Sequence, residues 1–354
     1  MEKYKVIGLM SGTSLDGLDV CYVEFIRHNN RWEYVIETAE TFLYPVGIKK
    51  GLQEAPDMNA FDFVYFDREY GQYIGQIVKQ FIVNNRCFPQ FIASHGHTIF
   101  HQPDKHLTCQ IGNGAFIAAE TRLPVICDFR GLDVAFGGQG APLVPIGDRL
   151  LFAGYDYCLN IGGFANISFE NEDKRIAYDI CPANIVSNYY AQKLERHYDD
   201  GGKLASQGIV CKPLLEKLNQ LDFYAGKYPK SLGREWVEQT FIPVVESYDI
   251  PVQGILSTIC EHVAIQITSN VSKGKLLITG GGAHNVYLIS RIKYYSDADI
   301  IIPDKLTVDF KEALIFAFLG VLYAINQSNC LASVTGAAYD NIGGAMYNPP
   351  DRVE

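Results

Sequence analysis

Met10-Ser-Gly-Thr-Ser-Leu-Asp-Gly-Leu-Asp19 sits between two β-rich runs, residues 3–9 and 19–26. A chain that runs strand, glycine-rich turn, strand builds a hairpin whose rigid flanks hold the turn in place. Gly12 and Gly17 let successive N–H groups aim at one point, and Thr13 and Ser14 add hydroxyl donors. Such a turn can cradle phosphate. Gly, Asp and Ser also make up ordinary hairpin turns, and that alternative stays open for the turn taken singly. It is not a P-loop, because no Gly-Lys-Ser/Thr occurs and no helix is predicted to follow.

Two further turns repeat the theme. Asn160-Ile-Gly-Gly-Phe-Ala-Asn-Ile-Ser168 again reads as strand, turn and strand, with Gly162, Gly163 and Asn166 at its tip. Leu277-Ile-Thr-Gly-Gly-Gly-Ala-His-Asn285 joins a strand to a helix start, and Gly280, Gly281 and Gly282 allow close backbone approach to a flat or anionic group. Apolar spacing predicts helices over 61–84, 185–197, 252–272, 286–295 and 311–326, with strands at 32–42, 91–94, 157–161 and 275–279. The chain is therefore α/β. Residues 94–103 read as a His-rich turn and 136–145 as a Gly/Pro loop or hinge.

The chain has 354 residues, 48% hydrophobic and 20% charged, which excludes disordered and fibrous classes and suggests two lobes around a cleft. Thirty basic against 40 acidic residues give a net charge of −10, which disfavours nucleic acid and anionic membrane as partners. The first residues hold too short an apolar run for a secretory signal, and residues 313–325 are too few to span a bilayer. Nine scattered cysteines without a CxxC pair suit a reducing, cytoplasmic setting.

Three polar clusters carry candidate chemistry. Ser94-His-Gly-His-Thr-Ile-Phe-His-Gln-Pro103 could bind metal, serve structure, or hydrogen-bond a polar ligand. Asp128 and Arg130 follow a strand end, where α/β proteins bind ligands. Arg130 suits a carboxylate, or it forms a structural pair with Asp128. Asp179, before Pro182, is either a general base or the N-cap of the next helix.

Jointly, the three glycine turns resemble the sugar kinase, Hsp70 and actin superfamily, a two-lobed, ribonuclease H-like fold with ATP in the interlobe cleft. More closely, Gly8-Leu-Met-Ser-Gly-Thr-Ser-Leu-Asp-Gly17, Ser94-His-Gly-His-Thr98, Asp128-Phe-Arg130 and Asp133 resemble the anhydro-N-acetylmuramic acid kinase family. So do Gly137-Gly-Gln-Gly-Ala-Pro-Leu-Val-Pro145, Asn160-Ile-Gly-Gly-Phe-Ala-Asn166, Asp179 with Pro182 and Asn184, Thr279-Gly-Gly-Gly282 and Glu312-Ala313.

The resemblance implies an enzyme that uses ATP and water to open 1,6-anhydro-N-acetylmuramic acid, giving N-acetylmuramic acid 6-phosphate and ADP in peptidoglycan recycling. It implies Asp179 as general base. Gly12, Thr13, Ser14, Leu15, Asp16, Gly17, Leu18 and Asp19 would bind the nucleotide phosphates, with Gly162, Gly163 and Asn166 opposing them and Gly280, Gly281 and Gly282 under the adenosine. His97, Thr98, Arg130 and Glu312 would meet the sugar, Arg130 through its lactyl carboxylate. Mg²⁺ would arrive with ATP, Asp16 being an outer-shell partner, with no protein metal site. The implied lobes are 1–127 plus about 340–354, and 128–339, in a cytoplasmic homodimer.

Two departures stand out. The family's Asp-x-Gly-Pro-Gly-Asn is here Asp179-Ile-Cys-Pro-Ala-Asn184, and its His-Gly-Gln-Thr is His95-Gly-His-Thr98. The first lowers backbone freedom after the base; the second replaces an amide by an imidazole near the sugar. A nucleotide-dependent binding or regulatory module of the same fold and a histidine-centred metal hydrolase are the competing readings.

Overall fold

The computed structural model describes residues 1–12, 14–29 and 31–350. The strands are β1 (Glu2–Ser11), β2 (Leu18–His28), β3 (Arg31–Phe42), β4 (Phe91–Gln102), β5 (Leu107–Ile111), β6 (Val125–Cys127), β7 (Tyr157–Ile161), β8 (Phe164–Asn171), β9 (Lys174–Pro182), β10 (Lys275–Thr279), β11 (Asp299–Ile301) and β12 (Ala345–Tyr347). They form two sheets, ordered β12-β6-β4-β1-β2-β3 with β5 on β4, and β11-β10-β7-β8-β9.

The two sheets share one plan. In the first, β1, β2 and β3 are antiparallel neighbours, while β4 and then β6 run parallel on the other side of β1. In the second, β7, β8 and β9 are the antiparallel trio, and β10 and then β11 run parallel on the other side of β7. The strand–turn–strand echo in the sequence is thus the visible part of a duplicated five-strand unit, to which the first sheet adds β5 and β12.

Two compact units carry these sheets: Met1–Leu151 with the stretch from Phe310 onward, and Phe152–Asp309. Residues 128–151 and 310–339 therefore belong to the first unit, not to the second as the sequence led us to expect. The reason is the Lys305–Ala324 helix, which departs from helical geometry at Phe310. Beyond that point its rings join the first core: Phe318 lies 5.3 Å from Phe25 and 5.0 Å from Trp32, and Phe316 lies 4.5 Å from His95. The Val144–Leu151 helix follows it through a buried Lys311–Asp148 ion pair at 2.7 Å.

In the first unit the Ala60–Asn85 helix begins where the Asn59 side chain caps the Asp62 N–H and ends in left-handed Arg86. Phe66, Tyr70, Ile74, Val78 and Phe81 recur at helical spacing and are buried with Ile7, Leu9, Val20 and Ile92 of the sheet. In the second, the Val252–Ser269 helix is buried along most of its length and packs with Leu159, Ile167 and Ile278.

Candidate active site

In the first unit β1 and β2 pair through to Ser11↔Leu18, so the glycine turn caps a fully zipped hairpin. The Leu15 N–H donates to Gly12 O at 3.2 Å, and Leu15 holds a left-handed φ of 58°. Ser14 and Asp16 are exposed, while Leu18 is buried in the core and offers only backbone. Asp19 is half-buried and accepts from Thr41 Oγ1 at 2.6 Å. Thr13 lies outside the described residues.

The segment read as a His-rich turn is strand. β4 continues through Gln102 because Gly96 absorbs a bulge: Leu9 pairs with Ser94 and Ser11 with His97, leaving one extra residue on β4. Gly96 takes φ 74°, and a Cβ there would lie 2.6 Å from Ile111 O. The bulge brings His97 opposite Ser11, and Ser11 Oγ lies 2.7 Å from His97 Nδ1. Burial lowers the His97 pKa to about 4, so the ring is neutral.

His95 Nδ1 lies 2.8 Å from Gly96 O, so that nitrogen carries the proton; Nε2 then accepts from Arg130 Nε at 3.0 Å. Arg130 Nη1 donates to Gly140 O at 2.5 Å. Of the two readings for Asp128, pairing with Arg130 is not the one formed: Asp128 accepts the Gly131 N–H at 3.1 Å. Burial lowers Arg130 to about 10, and Glu312 and Asp133 oppose that shift. Glu312 keeps accessible surface in a crowded setting, where partial desolvation raises its carboxyl; Arg130 opposes this and Asp19 adds to it. Thr98 is half-buried and receives Gln110 Nε2 at 3.3 Å.

The loop read as a hinge is fastened. Fully buried Asp133 accepts from Gly140 N at 2.8 Å, Thr335 Oγ1 at 2.8 Å and Asn341 Nδ2 at 2.9 Å. Gly138 N donates to Asp133 O at 2.9 Å, and from Val144 onward the segment is helical.

In the second unit Thr279, Asn160, Asn166 and Asp179 are successive partners across β10, β7, β8 and β9. Directly paired residues share a face, so these four form one polar rung. A bulge between Ala165 and Asn166 sets the register that aligns Asp179 with it. The Asp179 carboxylate accepts the Leu232 N–H at 2.9 Å through Oδ2. Oδ1 has no partner among the described residues. Burial raises its pKa, and the Leu232 N–H opposes this. Asp179 is not the helix cap: Ala183 is the N-cap of the Asn184–Gln192 helix, which has no side-chain cap.

Gly162 and Gly163 lie at the β7–β8 tip. Their carbonyls accept from Asn184 N at 3.1 Å and Ala183 N at 2.8 Å, which ties the hairpin to the segment after Asp179. Gly280, at φ 81°, leads into a short 3₁₀ turn over Gly281–His284, and Asn285 then caps the Val286–Tyr295 helix. Gly281 is exposed, while Gly282 is buried against Ile161.

The first unit thus brings His97, Thr98, Arg130 and Glu312 onto or beside one sheet, and the second gathers Asn166, Asp179 and the glycine tips onto another. Sequence reasoning assigned no role to Asn160 or Thr279, nor to Tyr44 and Tyr70 beside Ser11. Strand register supplies the rung and chain folding supplies the tyrosines. Among the described residues no group of three or more His, Cys, Asp or Glu could hold a metal ion, and no helix is long and apolar enough to cross a membrane.

A family model described as anhydro-N-acetylmuramic acid kinase matches residues 4–349. A protein of that name from Shewanella denitrificans is 34% identical, covering 97% of this chain and 98% of its own. Another, from Saccharophagus degradans, is 33% identical over 99% of this chain and 100% of its own. A solved structure, the activator of 2-hydroxyisocaproyl-CoA dehydratase from Clostridium difficile with bound ADPNP, aligns at 12% identity over 91% of this chain and 97% of that one, with a TM-score of 0.44. Matched along almost its entire length, the chain belongs to the anhydro-N-acetylmuramic acid kinase family.

Proposed function

We propose that this kinase transfers the γ-phosphoryl group of ATP to O6 of 1,6-anhydro-N-acetylmuramic acid while water opens the anhydro bridge. The observation that carries the reading is Asp179: one oxygen is held by a main-chain N–H, the other has no partner among the described residues, and burial raises its basicity. The water oxygen bonds to C1 as the C1–O6 bond breaks, O6 takes the phosphoryl group from departing ADP, and the proton of water passes to Asp179. An anhydro sugar has no free 6-hydroxyl, so the base must act on water.

The Gly12–Asp19 turn and Gly163 contribute N–H groups to the phosphates, Gly162 closing the tip with its own N–H to Phe164 O. Asn166 adds an amide, and Gly280, Gly281 and Gly282 lie under the base of the nucleotide. Mg²⁺ enters as part of the nucleotide substrate, mostly water-coordinated. Arg130 takes the lactyl carboxylate, its guanidinium oriented by His95 and Gly140, and His97, Thr98 and Glu312 meet other polar groups. N-acetylmuramic acid 6-phosphate, ADP, a role in peptidoglycan recycling, a cytoplasmic location and a homodimeric state complete the proposal.

Labelling tests it. Reaction in ¹⁸O-water is expected to place the label at C1 of the phosphorylated product, and an unlabelled C1 would sink the mechanism. Nucleotide binding with no sugar-dependent ADP release would leave a binding module instead. Arg130→Ala is expected to raise KM about 10- to 100-fold, the worth of a charge-assisted hydrogen bond, for sugars that carry the lactyl carboxylate. An equal rise for analogues lacking that group would contradict the assignment. Since Asp179 must be ionised to act, kcat/KM should fall as pH drops through a value above that of an ordinary aspartate; a pH–rate profile reads this.

A further inference from the structure

His97 is 4% exposed, and its Nε2 has no partner among the described residues. Around its other nitrogen lies a closed group of hydroxyls. Ser11 Oγ is 2.6 Å from Tyr44 OH, Tyr44 OH is 2.8 Å from Tyr70 OH, and Tyr70 OH donates to Ser11 Oγ at 3.0 Å. With Ser11 Oγ to His97 Nδ1 at 2.7 Å, that makes four hydrogen-bonding contacts. Each contact needs one hydrogen, and three hydroxyls supply only three. The fourth must come from the ring: Nδ1 carries the proton. Ser11 then donates to Tyr44, Tyr44 to Tyr70 and Tyr70 back to Ser11, while Ser11 accepts from His97. Tyr70 is wholly buried, so water cannot easily replace a missing partner in this ring.

We infer that Ser11, Tyr44 and Tyr70 lock His97 as the Nδ1–H tautomer, so that Nε2 is a fixed lone-pair acceptor selecting a donor, a hydroxyl or an amide N–H, on the bound sugar. The inference rests on the sugar site proposed above. It gives a physical meaning to the imidazole that stands here in the Ser94-His-Gly-His-Thr98 motif. An amide at that position can turn to present either its oxygen or its NH₂; a ring locked from behind presents only an acceptor. Tyr44 and Tyr70 are positioning residues, since they act on the sugar through Ser11 and His97.

The test exploits the counting. Tyr44→Phe leaves two contacts and two hydroxyl hydrogens: Tyr70 still donates to Ser11, and Ser11 becomes free to donate to Nδ1. Tyr70→Phe has the same effect by the other route. Ring-nitrogen NMR of histidine-labelled protein is expected to show Nε2 unprotonated in the wild type, and both tautomers populated in each folded variant. The sugar KM should rise about tenfold in the variants, with kcat and the ATP KM changing much less. A wild-type ring protonated at Nε2, or a sugar KM unmoved in both variants, overturns the inference. Absence of sugar-dependent turnover in the wild type overturns the proposed function instead, and the tautomer is then still read from the unliganded protein.

Discussion

Asp179→Asn is expected to lower kcat by about 10²–10⁴-fold, the usual contribution of a positioned base, and to leave ATP affinity near that of the wild type. The substitution is mild in every other respect. An amide oxygen can still accept the Leu232 N–H, and the polar rung keeps its shape. The charge effect also runs in favour of folding. Burial raises the folded pKa of Asp179 above its unfolded value. A group of this kind stabilises fully below the unfolded value and loses that contribution as pH rises through the folded one. At neutral pH the buried carboxylate is therefore a cost that the amide removes, so the variant should melt no lower than the wild type. Single-turnover kinetics with thermal melting checks both halves. Substantial residual turnover in a well-folded variant would remove Asp179 as the base.

Asp133→Ala carries the largest expected loss of stability, about 3–5 kcal/mol. The carboxylate is fully buried and accepts from Gly140 N, Thr335 Oγ1 and Asn341 Nδ2, all of which lose a partner together. The damage also reaches function. Gly140, whose N–H Asp133 holds, supplies the carbonyl that fixes Arg130 Nη1. Surviving protein should therefore show a raised sugar KM resembling that of Arg130→Ala. Chemical denaturation measures the stability term, and a midpoint unchanged from the wild type would show that these bonds contribute nothing net.

How the units divide illustrates what lay beyond reach of the sequence. The run 311–326 was legible as an apolar helix, but not as the element that carries 310–339 into the first unit. That depends on which core its aromatic rings enter, and Phe316 and Phe318 look alike from either side. Likewise a stretch containing His95, Gly96 and His97 has weak strand propensity, and it reads as a turn until a neighbouring strand supplies hydrogen bonds across the bulge. The 136–145 segment has the composition of a mobile loop, yet Asp133, near in sequence, and Thr335 and Asn341, far from it, tie it down.

The local decisions were made in the sequence. Glycine, hydroxyl and carboxylate residues at fixed spacing between apolar runs specify turns and strands through short-range sterics and periodicity, and these motifs sufficed to identify the family. Tertiary structure decided the partners. That Asp179 meets Leu232 N–H rather than capping a helix, that Arg130 meets His95 rather than Asp128, and that three hydroxyls close behind His97 all depend on sheet register and on segments brought together from distant parts of the chain. Hydrogen bonds are short and directional, and spacing along a sequence does not encode which distant atoms arrive within 3 Å of one another.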